Sequence, residues 1–259
     1  MVAPLFLPHR QPAFPPVNAR PPWLIKRYRV VGSTNDIAGR CPAWTAIIAR
    51  RQLAGRGRYR RHWTSDRGGL WMSAVVPTSG PAARWTVLPL AAGWAVRETL
   101  VSLGVNGVRL RWPNDVMIGH AKLAGILVER FTPHTVVIGI GLNLRNHPDR
   151  HDAALRGQVV RLADALSPLP PEREIVNRLL EQLRRAQALL ACDGLGELLP
   201  QLNHAWTGNR VSVELHDSAT LLTGRLVAVN ENGDLELQTD RSMRHVIPVG
   251  HVRQLRELF

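Results

Sequence analysis

Four short stretches of the chain carry residue types that could do chemistry together. The first runs Gln52-Leu53-Ala54-Gly55-Arg56-Gly57-Arg58-Tyr59-Arg60-Arg61-His62-Trp63. Six of the twelve residues from Arg50 to Arg61 are arginine and none is acidic. Glycines interleaved with guanidinium groups let a backbone come close to a phosphate while the planar forks grip its oxygens in pairs. Trp63 adds an aromatic face that can close over an apolar ligand. A solvated Arg-rich loop, or one that binds RNA, has the same composition. A P-loop is excluded, because no Gly-Lys-Ser/Thr follows.

The second stretch is Arg111-Trp112-Pro113-Asn114-Asp115. Pro113 ends a strand and leaves Asn114 and Asp115 at a corner that can face a cleft. A carboxylate near phosphate-binding arginines suits Mg²⁺ brought in with a nucleotide; an Asx turn is the plainer alternative. The third is Lys122-Leu123-Ala124-Gly125-Ile126-Leu127-Val128-Glu129. Of the 33 basic residues only Lys26 and Lys122 are lysine. A lysine retained at the mouth of an apolar strand is either a snorkelling edge residue or a placed charge. The fourth, Gly139-Ile140-Gly141-Leu142-Asn143, signals close backbone approach followed by a turn.

The elements that must position these residues read as α+β. Strands are expected over 24–31, 46–49, 70–76, 108–112, 116–118, 122–129 and 135–142, with a tip at Gly119-His120. Ser33-Thr34-Asn35 offers N-cap chemistry for a short helix reaching Cys41. Longer helices are expected over 82–103 and 173–191, from apolar residues at helical spacing. Residues 55–69 have no period and read as a loop. After Trp206 come short strands over 211–215, 221–229, 234–239 and 245–248, the pattern of a small β-barrel.

Composition narrows the classes. Apolar residues make up 45 % and charged residues 20 % of 259 residues, a globular balance. No apolar run is long enough for a membrane span. Two cysteines, Cys41 and Cys192, make no disulfide framework or zinc set, so a cytoplasmic protein is expected. The net charge of +13 favours anionic partners, although replacement of Lys by Arg across the chain is a compositional bias that explains much of it. Residues 1–22 hold seven prolines and read as a poorly ordered arm. That arm is too short for a helix-turn-helix, so no DNA binding is expected.

In order, the quoted motifs resemble the biotin–protein ligase family: Ser33-Thr34-Asn35, Gln52 with Ala54-Gly55-Arg56-Gly57-Arg58, Trp63, Trp112-Pro113-Asn114-Asp115, Lys122 to Glu129, and Gly139-x-Gly141-x-Asn143. The resemblance covers residues 23–205 by motif and 206–259 by position and size. It implies a mixed sheet with flanking helices, similar to the class II synthetase catalytic fold, followed by a small SH3-like barrel. It also implies a two-step reaction. Biotin and MgATP form biotinyl-5′-AMP and pyrophosphate, and a lysine on the biotin carboxyl carrier domain of an acyl-CoA carboxylase then takes the biotin. By resemblance the catalytic residues are Lys122 and Arg58. Biotin would meet Ser33, Thr34, Asn35, Gln52, Gly55, Arg56, Gly57, Arg58, Lys122 and Gly125. The nucleotide would meet Arg56, Arg58, Arg61, Trp63, Asn114, Lys122 and Asn143, with Asp115 on Mg²⁺. A monomer or a homodimer fits equally.

Two positions depart from the family's usual pattern. Arg111 stands where Lys is usual, and Arg60 stands where Gly is common. Two alternatives remain open. A lipoyl or octanoyl ligase or transferase of the same superfamily is one, although an octanoyl transferase needs a nucleophilic Cys and neither cysteine lies in a motif. A nucleic-acid-binding protein built on the Arg-rich loop is the other, and it leaves Lys122 and the Gly139–Asn143 run without a purpose.

Overall fold

A computed structural model describes residues 21–79, 85–150, 152–206, 208–216, 221–240 and 242–258. The expected arm, residues 1–22, therefore lies almost wholly outside the described residues. The main sheet has seven strands: β1 Leu24–Tyr28, β2 Thr45–Ala49, β3 Leu70–Pro77, β4 Val108–Arg111, β5 Asp115–Ile118, β6 Ala121–Thr132 and β7 Thr135–Leu142. Their order is β1-β2-β3-β7-β6-β5-β4. β1 and β2 run parallel and every other pair is antiparallel, so the sheet is mixed as expected. β1 is shorter than expected: the chain bends after Tyr28, and Val31 then bridges to Gln52.

Alternation along the central strands sends two sets of side chains to opposite faces. On β2 and β3, Ala46, Ile48, Met72, Ala74 and Val76 join the main core with α2 (Leu88–Ser102) and α4 (Glu172–Asp193). α2 begins at Leu88, with Pro89 in its first turn, a position that tolerates the missing N–H. The earlier expected residues 82–84 lie outside the described set. On the other face Ile47, Val75 and Val137 pack under Ala38 of α1 (Thr34–Ala38). That helix is five residues long and presents Thr34 and Asn35 to the same face of the sheet. Two helices were not legible from periodicity. α3 (Leu162–Ala165) is a single turn, and α5 (Leu199–Trp206) carries its apolar side chains over barely two turns.

The C-terminal unit comprises β8 Arg210–Leu215, β9 Leu221–Val229, β10 Leu235–Thr239, β11 Arg244–Ile247 and β12 Val252–Glu257. It is an antiparallel sheet in the order β11-β10-β9-β8-β12. Among the described residues β11 and β12 do not pair, so the sheet is SH3-like in size and order but is not closed into the expected barrel. β12 was not expected, because a bulge between Val252 and Gln254 puts its buried residues, Val252 and Leu255, three apart and breaks the two-residue period. Two side-chain contacts dock the unit on the main sheet, and the end of α5, just before it, makes a third to β4. Trp206 Nε1 donates to Leu110 O at 2.7 Å, and Trp112 Nε1 donates to Gly233 O at 3.0 Å. Arg109 makes a bidentate pair with Glu257, its Nη2 at 2.6 Å.

Trp206 is 2 % exposed and supplies both packing and that hydrogen bond. Replacing it with Ala should lower unfolding stability by about 3–5 kcal/mol, the usual loss for a buried large aromatic. Urea unfolding followed by far-ultraviolet circular dichroism measures this; a loss under about 1 kcal/mol would show that the two units do not depend on this contact.

Candidate functional site

Register alone makes a trough on the α1 face of the sheet. Gly125 lies opposite Gly141, and Asp115 lies opposite Gly125. One row along, Gly139 lies between Ser73 and Leu127. Three glycines on one face of two adjoining rows leave a strip of bare backbone that other side chains can enter. Trp63 enters over Gly125 and Gly141, where an added Cβ would stand 2.8 Å and 2.5 Å from its ring atoms. Asn35 enters over Gly139, where a Cβ would stand 2.4 Å from Oδ1. The glycines are thus required for the close approach of Trp63 and Asn35. The space left over the trough is a cavity of about 800 Å³, bounded by α1, the Gln52–Trp63 loop, the Trp112–Asp115 corner and the first residues of β12.

One end of the cavity is a hydrogen-bonded network of neutral side chains. Gln52 Oε1 accepts from Thr34 N at 2.8 Å and from Thr34 Oγ1 at 2.9 Å, while Gln52 Nε2 donates to Ser65 Oγ at 2.8 Å. The buried Ser73 hydroxyl lies 2.6 Å from Thr34 Oγ1 and 2.5 Å from Asn35 Oδ1. Asn35 Nδ2 in turn donates to Glu129 Oε2 at 2.6 Å. Ser33, also buried, precedes α1 in extended conformation but makes no side-chain cap. Gly55 closes the group: a Cβ there would stand 2.4 Å from Ser65 Oγ and 2.5 Å from Trp63 O.

The other end is charged. Lys122 Nζ lies 2.5 Å from Asp115 Oδ1, and Arg111 Nη2 lies 2.7 Å from Asp115 Oδ2. The same ammonium sits 4.9 Å from the centre of the Trp63 ring, a cation–π contact. The backbone of Lys122 is pinned as well, its N–H to Gln158 O and its C=O to Val160 N. Burial pushes the Asp115 carboxyl up, but the charges of Lys122 and Arg111 outweigh it and hold the group below the usual carboxylate range. Asp115, expected on Mg²⁺, instead spends one oxygen on each cation. The donor set that remains is therefore a poor fit to a protein-held magnesium ion.

The remaining expected residues divide by where their side chains are spent. Arg56, expected on phosphate or biotin, is a staple. Its guanidinium pairs with Asp36 at 2.5 Å and 3.0 Å and reaches Glu129 at 3.2 Å. Asp36 is held below the usual carboxylate range, chiefly by that hydrogen bond from Arg56. Asn114 is spent on the strand: Nδ2 donates to Ile126 O at 2.8 Å. Asn143 receives Asn146 Nδ2 on its Oδ1 at 3.0 Å and points its own Nδ2 at Lys122 O and Val160 O. Gly57, Arg58 and Arg61 border the cavity on its outer side. Arg58 Nη2 donates to Val249 O at 2.9 Å in the C-terminal unit and to Tyr59 Oη at 3.0 Å.

The loop carrying Arg58 is bent tightly. Tyr59 and Arg60 have φ of +56° and +57°, the left-handed region that costs a non-glycine residue roughly 1–2 kcal/mol. That is the physical meaning of the glycine common at position 60 in the resemblance. Four participants were missed from sequence: Ser65, Ser73, Glu129 and β12. Ser73 had a visible signal, a lone hydroxyl within the apolar run 70–76 that would be orphaned without a partner. Glu129 closes the quoted Lys122–Glu129 motif but was given no role, since an acidic residue at the end of a strand reads as solvated.

A family profile described as "Biotin/lipoate A/B protein ligase family" matches residues 33–143. The chain is 36 % identical over 202 residues to "Biotin--[acetyl-CoA-carboxylase] ligase" of Mycobacterium tuberculosis, covering 71 % of this chain and 72 % of that protein. It is also 36 % identical over 181 residues to "Bifunctional ligase/repressor BirA" of Escherichia coli. That match takes in 66 % of this chain and 55 % of the relative, about half its length. Among solved structures, the biotin protein ligase from Aquifex aeolicus in complex with biotin and ATP superposes with a TM-score of 0.78. Its sequence identity is 24 %, and the match covers 91 % of this chain and 99 % of that one, a likeness of fold.

A carboxyl whose native pKa is lowered adds stability that is complete above its unfolded value, about pH 3.9, and is lost as pH falls through the lower native value. Stability of the parent chain should therefore fall more steeply below about pH 4 than that of Asp115→Asn, with the two slopes alike above about pH 5. Urea midpoints across pH measure it. Parallel curves throughout would show that Asp115 is not held by its two cations.

Proposed function

The chain belongs to the biotin/lipoate A/B protein ligase family and is a biotin–protein ligase, and from that premise we propose which of its side chains carry each step. The observation that supports the division is the Lys122 ammonium, held by Asp115 at the charged end of the cavity that the Thr34–Asn35–Gln52 network closes at the other.

Adenylation brings a carboxylate up to a triphosphate, so two anions must be held together against their repulsion. Lys122 has three N–H donors and spends one on Asp115, which leaves donors for the biotin carboxylate and then for the acyl-phosphate oxygens. Arg111 adds a second fixed cation beside it. Asp115 stays ionised and acts as the anchor that sets where the ammonium stands. Arg58 and Arg61, on the outer side, are the cations free of carboxylates: Arg58 donates to Val249 O at 2.9 Å and to Tyr59 Oη at 3.0 Å, Arg61 to Arg253 O at 3.3 Å, and both can exchange these neutral acceptors for phosphate oxygens. Arg56 holds the loop to α1 and β6 rather than touching phosphate.

The head group of biotin carries amide-like donors and an acceptor, which match the hydroxyl and amide groups of Thr34, Asn35 and Gln52. Trp63 and Leu127 give the thiophene ring and chain an apolar wall. Leu155 and Val159 border the same space and suit the adenine ring. Asn143 supports that wall by its contacts with Val160 and Asn146. Mg²⁺ enters as part of the MgATP substrate. In the second step the neutral amine of a carrier lysine attacks the acyl carbon, an amide forms and AMP leaves. A carboxylase carrier domain is the acceptor this reading implies, and the cytoplasm, where ATP is made available, is its place. No helix among the described residues is long and apolar enough to cross a membrane.

Lys122→Ala should reduce biotin-dependent exchange of labelled pyrophosphate into ATP by about 100-fold or more, in line with loss of one donor to a developing charge. Its circular dichroism should match the parent's. Near-parent exchange would remove Lys122 from the reaction. Exchange driven by lipoate or octanoate, and not by biotin, would reassign the substrate.

A further inference from the structure

The Gly–Arg loop is tied to the C-terminal unit by side chains that the division of labour above does not use fully. Tyr59 Oη donates to Val252 O at 2.6 Å and lies 3.2 Å from Gly250 O. The Tyr59 ring stacks at a tilt on His216, with centroids 4.8 Å apart. His216 is itself bound to the receiving turn, its N–H donating to His251 O at 2.7 Å. Arg58 Nη2 reaches the same pair of segments, at 2.9 Å from Val249 O and 3.3 Å from Val252 O. The receiving carbonyls belong to the 3-10 turn Val249–His251 and the first residue of β12. A short helical turn leaves its last carbonyls without partners and carries partial negative charge there, so it attracts donors and cations.

Nothing in the adenylation chemistry requires a phenol at position 59, and Tyr59 does not border the cavity. Yet the chain accepts a left-handed backbone at Tyr59 and at Arg60, which places the ring on His216. We propose that Tyr59 is a positioning residue that latches the Gly–Arg loop to the C-terminal sheet, so that this sheet keeps the acyl-adenylate inside the cavity until a carrier lysine arrives. This rests on the ligase reading above. The latch has a specific consequence for Arg58. Tyr59 Oη also accepts from Arg58 Nη2 at 3.0 Å, but its own bond to Val252 O does not pass through Arg58, so Arg58 can give up Val249 O and Val252 O for phosphate oxygens without the loop coming away. Residues 252–255 of β12, which border the cavity, then form its outer wall. The mixed anhydride needs such a wall, since water reaching the acyl carbon would form biotin and AMP and waste the ATP.

Tyr59→Phe removes the hydroxyl, and with it the bond to Val252 O and the one accepted from Arg58, and keeps the ring on His216. With biotin and MgATP but no carrier, the variant should form AMP about tenfold faster than the parent, the equilibrium worth of one hydrogen bond to a carbonyl. It should also place more biotin on lysines of an added bystander protein such as serum albumin. KM values for biotin and ATP in pyrophosphate exchange should stay within about twofold, which a general loosening of the fold would not allow. Equal AMP formation and equal bystander labelling in parent and variant would overturn the latch. So would a variant whose only change is a lower unfolding midpoint. Absence of biotin-driven exchange in the parent itself would instead remove the ligase reading, and the latch with it.

Discussion

The site depends on one arrangement: a single carboxylate, Asp115, standing between the Lys122 ammonium and the Arg111 guanidinium at the edge of a glycine trough. Two cations around one anion leave a surplus of positive charge at a fixed place. The surplus has to be fixed, because a cation that must first be found and ordered contributes far less than one already in position. The sheet supplies that order. Asp115 is held in register with Gly125, and Lys122 is bound by its backbone on both sides to residues 158 and 160. Trp63 lies against the bare backbone of Gly125 and Gly141 and gives the ammonium an aromatic face to rest on.

Around that anchor the basic residues fall into two kinds. Arg56 and Arg111 are paired with carboxylates on the main domain. Arg58 and Arg61 are bonded to carbonyls of the C-terminal unit, and Arg58 also to the Tyr59 hydroxyl, so their acceptors are all neutral. The difference is one of partner: a carboxylate adds opposite charge and a bidentate fit to the guanidinium that a neutral carbonyl lacks. Composition alone cannot separate the two kinds, since all four are arginines within or near the same motifs.

The C-terminal unit therefore belongs to the site as well as to the fold. Its sheet is fastened to the main sheet through the buried bond from Trp112 to Gly233 O and the part-buried Arg109–Glu257 pair, while Trp206 of α5 is bonded to Leu110 O just before it. Its turn at Val249–His251 and its last strand then face the Gly–Arg loop. A unit of about 50 residues has too little interior to be rigid by itself, and docking on the larger domain gives it the stability to act as a wall.

By itself the amino-acid order determined the elements whose signals are local. Period-two and helical patterns marked the central strands and the two long helices, and motif order pointed to the family and to Lys122. Glycines at 125, 139 and 141 announced close approach but not of what. Tertiary structure alone decided the partners. Asp36 and Glu129 lie 93 residues apart in sequence, and only the crossing of α1 over the sheet brings both to Arg56. Asp115 is paired with two cations because strand register delivered Arg111 and Lys122 to its two oxygens. The bulge that hid β12 from periodicity gave the cavity its far wall. Local patterns report what a segment can become, whereas the energy of a charge is set by whatever the fold places within a few ångströms of it.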